Sequence, residues 1–307
     1  MKYSNYLLLA ISVVAVSCTV EKTDYEAEIA TDTTEYFDFE EVSTINTGDY
    51  NLTIEALNGT LYKGYNEIHV TLEHAQSQEE LSNAAVTFLP ILTDANGKQS
   101  SCPHDYQLTY DTANGYYVGY AVFTDITSST AGWELFMEVT LSGEIQAVSQ
   151  TITVEEQVNK NLNMTAFTGN DNVQYFIALV APQRPDVAEN HLVAGVYKYI
   201  EPTQVAGDFP DPSQFIYAVV NDHTLLLDPR MPEPSMGNHS SPNNEDLTQQ
   251  NDGLYHGVVN YTMTGNWTLN FIFQDAQGNT IKGTEVPTDF TPGIEGVKSE
   301  LYIDILF

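Results

Sequence analysis

Asp252–Phe273 reads DGLYHGVVNYTMTGNWTLNFIF, and this stretch decides the fold class. From Trp267 the apolar side chains recur on every second residue, Leu269, Phe271 and Phe273, with Thr268 and Asn270 between them. A period of two marks a strand with one buried face, whereas a helix would space its apolar residues three and four apart. An earlier stretch, NGYYVGYAVFTDITSSTAGWELFMEVTL at Asn114–Leu141, carries the same stripe through Trp133, Leu135, Met137, Val139 and Leu141. Leu52, Ile54 and Ala56 alternate likewise, as do Ile68, Val70 and Leu72. Turn signals separate these runs at Asn58-Gly59, Asn96-Gly97, Asn114-Gly115 and Gln277-Gly278-Asn279. Short alternating strands divided by turns, with no long helical period, predict sandwiches rather than a parallel α/β sheet.

The two stretches also align with each other. Asn114-Gly115-Tyr116-Tyr117-Val118-Gly119 corresponds to Asp252-Gly253-Leu254-Tyr255-His256-Gly257, and each leads through a strand to Gly132-Trp133 or Gly265-Asn266-Trp267. Pro90 and Pro103 match Pro229 and Pro242 with the same separation. The expected architecture is all-β: two tandem immunoglobulin-like β-sandwich domains after a lipoprotein signal and an acidic tether. The first, divergent copy is expected over 48–156 and the second over 160–307, with extra sequence between Lys198 and Asn221.

Residues 1–17 read as a signal peptide, with Lys2 ahead of an apolar run, Leu7–Val16, too short to span a bilayer as a helix. Ala15-Val16-Ser17-Cys18 closes the run as a bacterial lipobox does, so Cys18 is expected to be lipidated. Each buried acyl CH₂ contributes roughly 0.8 kcal/mol, so a multi-chain anchor holds the protein stably on a membrane. The expected location is the cell envelope, on an outer-membrane, periplasmic or surface face. Residues 18–47 are acid-rich, and a self-repelling stretch of that kind makes an extended tether. Acylation of Cys18 leaves Cys102 as the only thiol, which excludes an internal disulfide.

The chain holds 42 acidic and 10 basic residues, a formal charge of −32. Nucleic acids and anionic headgroups need clustered lysine and arginine, so neither is expected as a partner.

Between the two aligned regions of the second copy runs DPRMPEPSMGNHSSP, Asp228–Pro242, a proline- and glycine-punctuated loop carrying Met231, Met236 and His239. Met263 follows in the next corner. Thioether sulfur and imidazole suit soft metal ions, Cu(I) above all, so these four residues are the candidate metal ligands. The competing reading is packing, with the methionines capping the open end of a sandwich as flexible gap fillers. At the aligned positions the first copy has Leu92, Gly97, Ser100 and Asp125, and carries Cys102 and His104 instead.

MPEPSMGNHSSP, then GLYHGVVNYTMTGNW, and their weaker echo SSCPH, NGYYVGY and GW resemble the YtkA-like/FixH-like family of exported bacterial β-sandwich domains. The resemblance covers the second half of the second copy well, the first copy faintly and the tether not at all. It implies a Met/His loop, here Met231, Met236 and His239, with Met263 before the Gly-x-Trp corner and Gly253, Tyr255, Gly257 and Trp267 as scaffold. Extra residues between the two methionines and Asn238 before the histidine depart from the family pattern. Family members are linked to copper handling and to assembly of respiratory copper oxidases.

Catalysis is not expected. The chain has no phosphate-cradling loop with lysine, no dinucleotide fingerprint and no Gly-x-Ser-x-Gly elbow. Asp94-Ala95-Asn96-Gly97 opens like a calcium loop but lacks the remaining ligands, so it reads as a turn. The expected function is that of a lipid-anchored envelope protein binding Cu(I) at the Met/His loop. The alternative is an adhesin-like interaction module for an envelope protein or a glycan, without metal.

Overall fold

The computed structural model describes residues 38–307, so the signal region, Cys18 and most of the expected tether lie outside the described residues. The described chain is all-β, its one helical element being a single 3₁₀ turn at Pro212–Gln214. The first sandwich uses β1 (Phe39–Asn46), β2 (Tyr50–Leu57), β3 (Gly64–His74), β4 (Leu89–Asp94), β5 (Gln99–Ser100), β6 (Thr109–Asp111), β7 (Tyr116–Phe123), β8 (Ala131–Leu141) and β9 (Glu144–Ile152). The second uses β10 (Met164–Thr168), β11 (Gln174–Ala181), β12 (Glu189–Ile200), β13 (Thr224–Met231), β14 (His239–Ser240), β15 (Glu245–Gln249), β16 (Tyr255–Asn260), β17 (Asn266–Gln274) and β18 (Tyr302–Leu306).

The two halves share one strand order. In the first, β1-β2-β3-β7-β6 faces β9-β8-β4-β5; in the second, β10-β11-β12-β16-β15 faces β18-β17-β13-β14. A short pairing between β13 and β15, Thr224 with Thr248 and Leu225 with Leu247, joins the second pair of faces into one continuous sheet.

Side-chain anchors repeat with the strands. Trp133 Nε1 donates to the Asp125 carbonyl at 2.9 Å, and Trp267 Nε1 to the Met263 carbonyl at 3.0 Å. The Tyr117 hydroxyl donates to Leu81 O and Tyr255's to Val220 O. Asn66 and Asn190 each bridge backbone groups just upstream of themselves. Each bond satisfies a polar group that would otherwise be buried at a cost of about 1–3 kcal/mol.

The alternating stripes form the two cores. Leu52, Ile54, Ile68, Val70, Trp133, Leu135 and Met137 close the first, and Trp267, Leu269, Phe271 and Phe273 the second, all essentially inaccessible to solvent. Complete burial of each such large apolar side chain stabilises by roughly 1.5–3 kcal/mol.

The first sandwich begins earlier than the sequence pattern suggests. β1 lies within the stretch expected to be tether and pairs along β2, with Phe39 opposite Leu57 and Asn46 opposite Asn51. Phe39 stacks on His69 at 3.9 Å, Val42 and Ile45 turn to the core, and Glu40 and Glu41 line the outside. An edge strand carrying outward carboxylates looks like spacer in composition, yet its charges also protect the open edge.

Tyr65, Tyr120, Tyr197, Tyr199 and Tyr217 gather between the two sandwiches. Tyr65 of β3 with Tyr120 and Val122 of β7 packs against Met164, Phe176, Ala178 and Tyr197 of the second sandwich. Tyr120 stacks on Tyr197 at 5.3 Å and Phe176 meets Tyr217 at 5.4 Å. The extra sequence after Lys198 serves this seam. Its strand Ile216–Val219 pairs along β12, the Tyr217 hydroxyl donates to Ser101 O at 2.6 Å, and Phe209 meets Phe136 of β8 edge-on at 5.4 Å.

His104 and Asp105 sit beside the seam as neighbours with opposite titration. Burial pulls His104 down to about 4 and pushes Asp105 up to about 6. His104 Nδ1–H donates to Cys102 O at 2.7 Å, and Asp105 bears on the hydroxyls of Tyr65, Tyr120 and Tyr197. The depressed histidine contributes stability above its unfolded value near ~6.5 that is lost as pH falls toward 4. The raised carboxyl contributes stability below its unfolded value near ~3.9 that is lost as pH rises through 6. The two slopes therefore oppose one another in mild acid. Asp105→Asn is expected to exceed the parent in urea midpoint at pH 7, with the advantage gone by pH 4. A pH-independent difference would count against a buried carboxyl at the seam. Asp105 is partly exposed, so the slope should lie well under the ~1.4 kcal/mol per pH unit of an unscreened group.

Candidate functional site

The Met/His loop leaves the end of β13 and returns as β14, and their pairing places Met231 directly opposite His239. The return is a tight turn. Met236 N–H donates to Glu233 O and His239 N–H to Met236 O, while Gly237 and Asn238 both take positive φ. Met231 is 2% exposed and belongs to the second core, with Met236 and Met263 half-buried against the same cluster. Gly265 permits the approach of Met231, because a Cβ there would lie 2.8 Å from the methionine methyl group.

Trp267 is the centre of this corner. The His239 ring lies 6.0 Å from it and the Tyr261 ring 5.3 Å, and Met263 supplies the carbonyl that its N–H reaches. His239 Nε2 sits 2.7 Å from Thr262 Oγ1, which orients the ring and leaves Nδ1 as the nitrogen available to a metal. The fold thus brings Met263, from the corner that follows, to the same end of the second sandwich as Met231, Met236 and His239 of the loop. A strap from the C-terminal region covers the loop: Asn238 Nδ2 donates to Pro287 O, Gly296 N–H to Pro232 O, and the Phe290 ring lies over Gly237.

The corner also concentrates unpaired oxygen. Among the described residues, the buried side-chain atoms without a protein hydrogen-bond partner include Glu233 Oε2, Asn238 Oδ1 and Tyr261 OH, all on this loop or beneath it. Unpaired buried polar atoms are uncommon in folded proteins and concentrate where water, ions or ligands enter. The other such atoms among the described residues, Asn58 Oδ1, His74 Nδ1 and Asn161 Oδ1, lie apart from this loop.

The other residues considered have structural roles. Cys102 is fully buried in the first core, and burial raises its thiol far above the ordinary range, so it is neither a reactive thiol nor a ready ligand. His104 belongs to the domain seam. His69 stacks between Phe39 and Tyr116 at 3.9 Å from each. Among the described residues no group of three or more His, Cys, Asp or Glu side chains is assembled as a metal-binding set, so any metal at the loop would rest on methionine sulfur. One juxtaposition escaped the sequence reading: His191 and His256 meet, 65 residues apart, and only strand register could have revealed it.

No protein-family model matches the chain, and no curated protein matches it either. Among solved structures the chain is similar to a conserved domain protein from Bacillus anthracis at 13% identity, covering 89% of this chain and 93% of that one with a TM-score of 0.27. It is also similar to the adhesin InvE of Yersinia pseudotuberculosis at 10% identity, covering 81% of this chain and 64% of that one with a TM-score of 0.24. Likenesses at these scores carry no functional argument.

Proposed function

We propose that this is a lipid-anchored, non-catalytic protein of the bacterial cell envelope whose second sandwich binds one Cu(I) ion at the Met231, Met236, His239 and Met263 corner. The lipobox ending in Cys18 supports the anchor, and the resemblance to YtkA-like/FixH-like domains supports a role in copper handling or oxidase assembly. A common ancestry for domains at 48–156 and 160–307, with the first starting as early as Phe39, is supported by the repeated strand order and the paired tryptophan anchors. The observation that carries the copper reading is the register of β13 and β14. It sets Met231 across from His239 beside Trp267, with two further thioethers on the same cluster. Soft sulfur and one imidazole match Cu(I), and the electron-rich face of tryptophan favours a nearby cation.

The test is Cu(I) titration of the purified chain against a chromogenic chelator, under anaerobic reducing conditions. One equivalent should be retained by the parent. The Met231→Leu, Met236→Leu double variant should lose it with an unchanged near-UV spectrum, because the exchange nearly conserves volume. Equal retention by both proteins would leave the methionines as packing alone.

A second reading, an interaction module for an envelope protein or a glycan, rests on the inserted segment. That segment exposes Val205, Ile216 and Val219, with Val205 at 96%. A partner recovered equally with and without a copper chelator would favour this second reading.

A further inference from the structure

Outside the Met/His corner, the second sandwich carries a different cluster of ligating side chains. β12 and β16 run antiparallel, with His191 opposite Val258 and Val193 opposite His256, so the two histidines are diagonal neighbours on one face. That face is the outer one, because the intervening Leu192 and Tyr255 are buried in the core. His256 Nδ1 lies 2.9 Å from His191 Nε2, with ring centroids 4.9 Å apart and planes inclined at 34°. On its other side His256 Nε2 lies 2.9 Å from Asp252 Oδ2. Asp252 is itself held, since its Oδ1 accepts the Leu254 N–H at 3.0 Å in the turn that enters β16.

The hydrogen bonds settle where the protons are. A carboxylate only accepts, so His256 carries hydrogen on Nε2 and, when neutral, presents the Nδ1 lone pair to His191. A carboxylate behind a histidine whose other nitrogen faces a partner is the usual outer arrangement of a metal-bound imidazole. Two nitrogens bound to one tetrahedral zinc at about 2.05 Å stand about 3.4 Å apart. The pair at 2.9 Å reaches that spacing by a small tilt of two surface rings, with the ion taking the place of the proton between them.

We infer that His191 and His256 form a two-nitrogen clamp for a borderline divalent ion, Zn²⁺, with Asp252 orienting His256 rather than ligating. The remaining coordination positions face solvent. Glu245 stands in the same cross-strand row as His191, beyond Val258, on that open side. The clamp is confined to the second sandwich, for the positions equivalent to His191, His256 and Asp252 in the first are Glu67, Val118 and Asn114. Its ligands are nitrogen rather than sulfur, so it is independent of the Cu(I) corner in chemistry as well as position.

Calorimetric titration of the full chain with ZnCl₂ tests this. One equivalent is expected to bind in the micromolar range. His191→Gln and His256→Gln should each weaken it at least tenfold, and Asp252→Asn by roughly tenfold, the usual effect of removing such an outer carboxylate. Met231→Leu with Met236→Leu should leave Zn²⁺ affinity unchanged, so the two metal readings can fail separately. Both rings lie on the surface, and urea midpoints matching the parent would show that the variants fold. No uptake by the parent overturns the clamp. So does unchanged affinity in either histidine variant, which would reveal binding by scattered surface carboxylates.

Discussion

Replacing Trp267 by alanine is expected to cost the protein about 3–5 kcal/mol of unfolding free energy, enough to unfold the second sandwich under mild denaturant. The indole is wholly buried and touches Tyr261 and His239, and Met231 lies beside it over Gly265. Its removal opens a cavity and also strips the Met263 carbonyl of its donor. Trp267→Phe keeps most of the apolar contact but loses the N–H, and a smaller loss of about 1–2 kcal/mol should follow. The alanine variant brings its own reporter. The chain has two tryptophans, so its remaining tryptophan fluorescence, excited selectively over tyrosine, arises from Trp133 in the first sandwich alone. Urea titration followed by that fluorescence and by far-UV dichroism then shows whether the sandwiches unfold together. A loss under 1 kcal/mol would mean that the second core does not rest on this residue.

Gly64→Ala should be nearly as damaging, although the side chain it adds is a single methyl group. Gly64 has φ of +108°, where L side chains are strained, and its missing Cβ would lie 2.1 Å from the Leu162 carbonyl oxygen. That oxygen belongs to backbone and is the acceptor for Tyr65 N–H at 3.1 Å, so it cannot swing aside as a flexible side chain would. Strain of about 1–3 kcal/mol and a comparable overpacking penalty make roughly 3 kcal/mol a reasonable expectation. The damage falls where the segment joining the two sandwiches crosses β3, so faster proteolysis around residues 156–163 should accompany the lower midpoint. Gly97→Ala is the control. Gly97 also has positive φ, at +74°, but nothing within 4 Å, and should lose only about 1 kcal/mol. Equal losses at the two sites would show that conformation, not close approach, governs both.

The stripes at Trp133–Val139 and Trp267–Phe273 were legible because strand alternation is local: each residue's face is set by its neighbours one and two positions away. The glycine turns were legible for a similar reason, since positive φ selects its residue within a few bonds. β1 was not, because outward Glu40 and Glu41 give an edge strand the composition of a spacer. The candidate corner was half legible. The residue types Met231, Met236, His239 and Met263 could be chosen by softness, but the pairing of Met231 with His239 and the burial beside Trp267 come from register. Tyr65, Tyr120, Tyr197 and Tyr217 form the seam between the sandwiches, an outcome of tertiary packing that leaves no local signal in the sequence.

From its sequence alone, this protein's all-β character, its repeated plan and the chemistry of its candidate ligands were determined, because each depends on side-chain identity and short-range spacing. Which outer faces are covered, and which histidines meet across strands, only the tertiary structure decided. Those outcomes depend on pairing residues far apart along the chain, and a shift of one residue in that pairing would send every side chain to the opposite face.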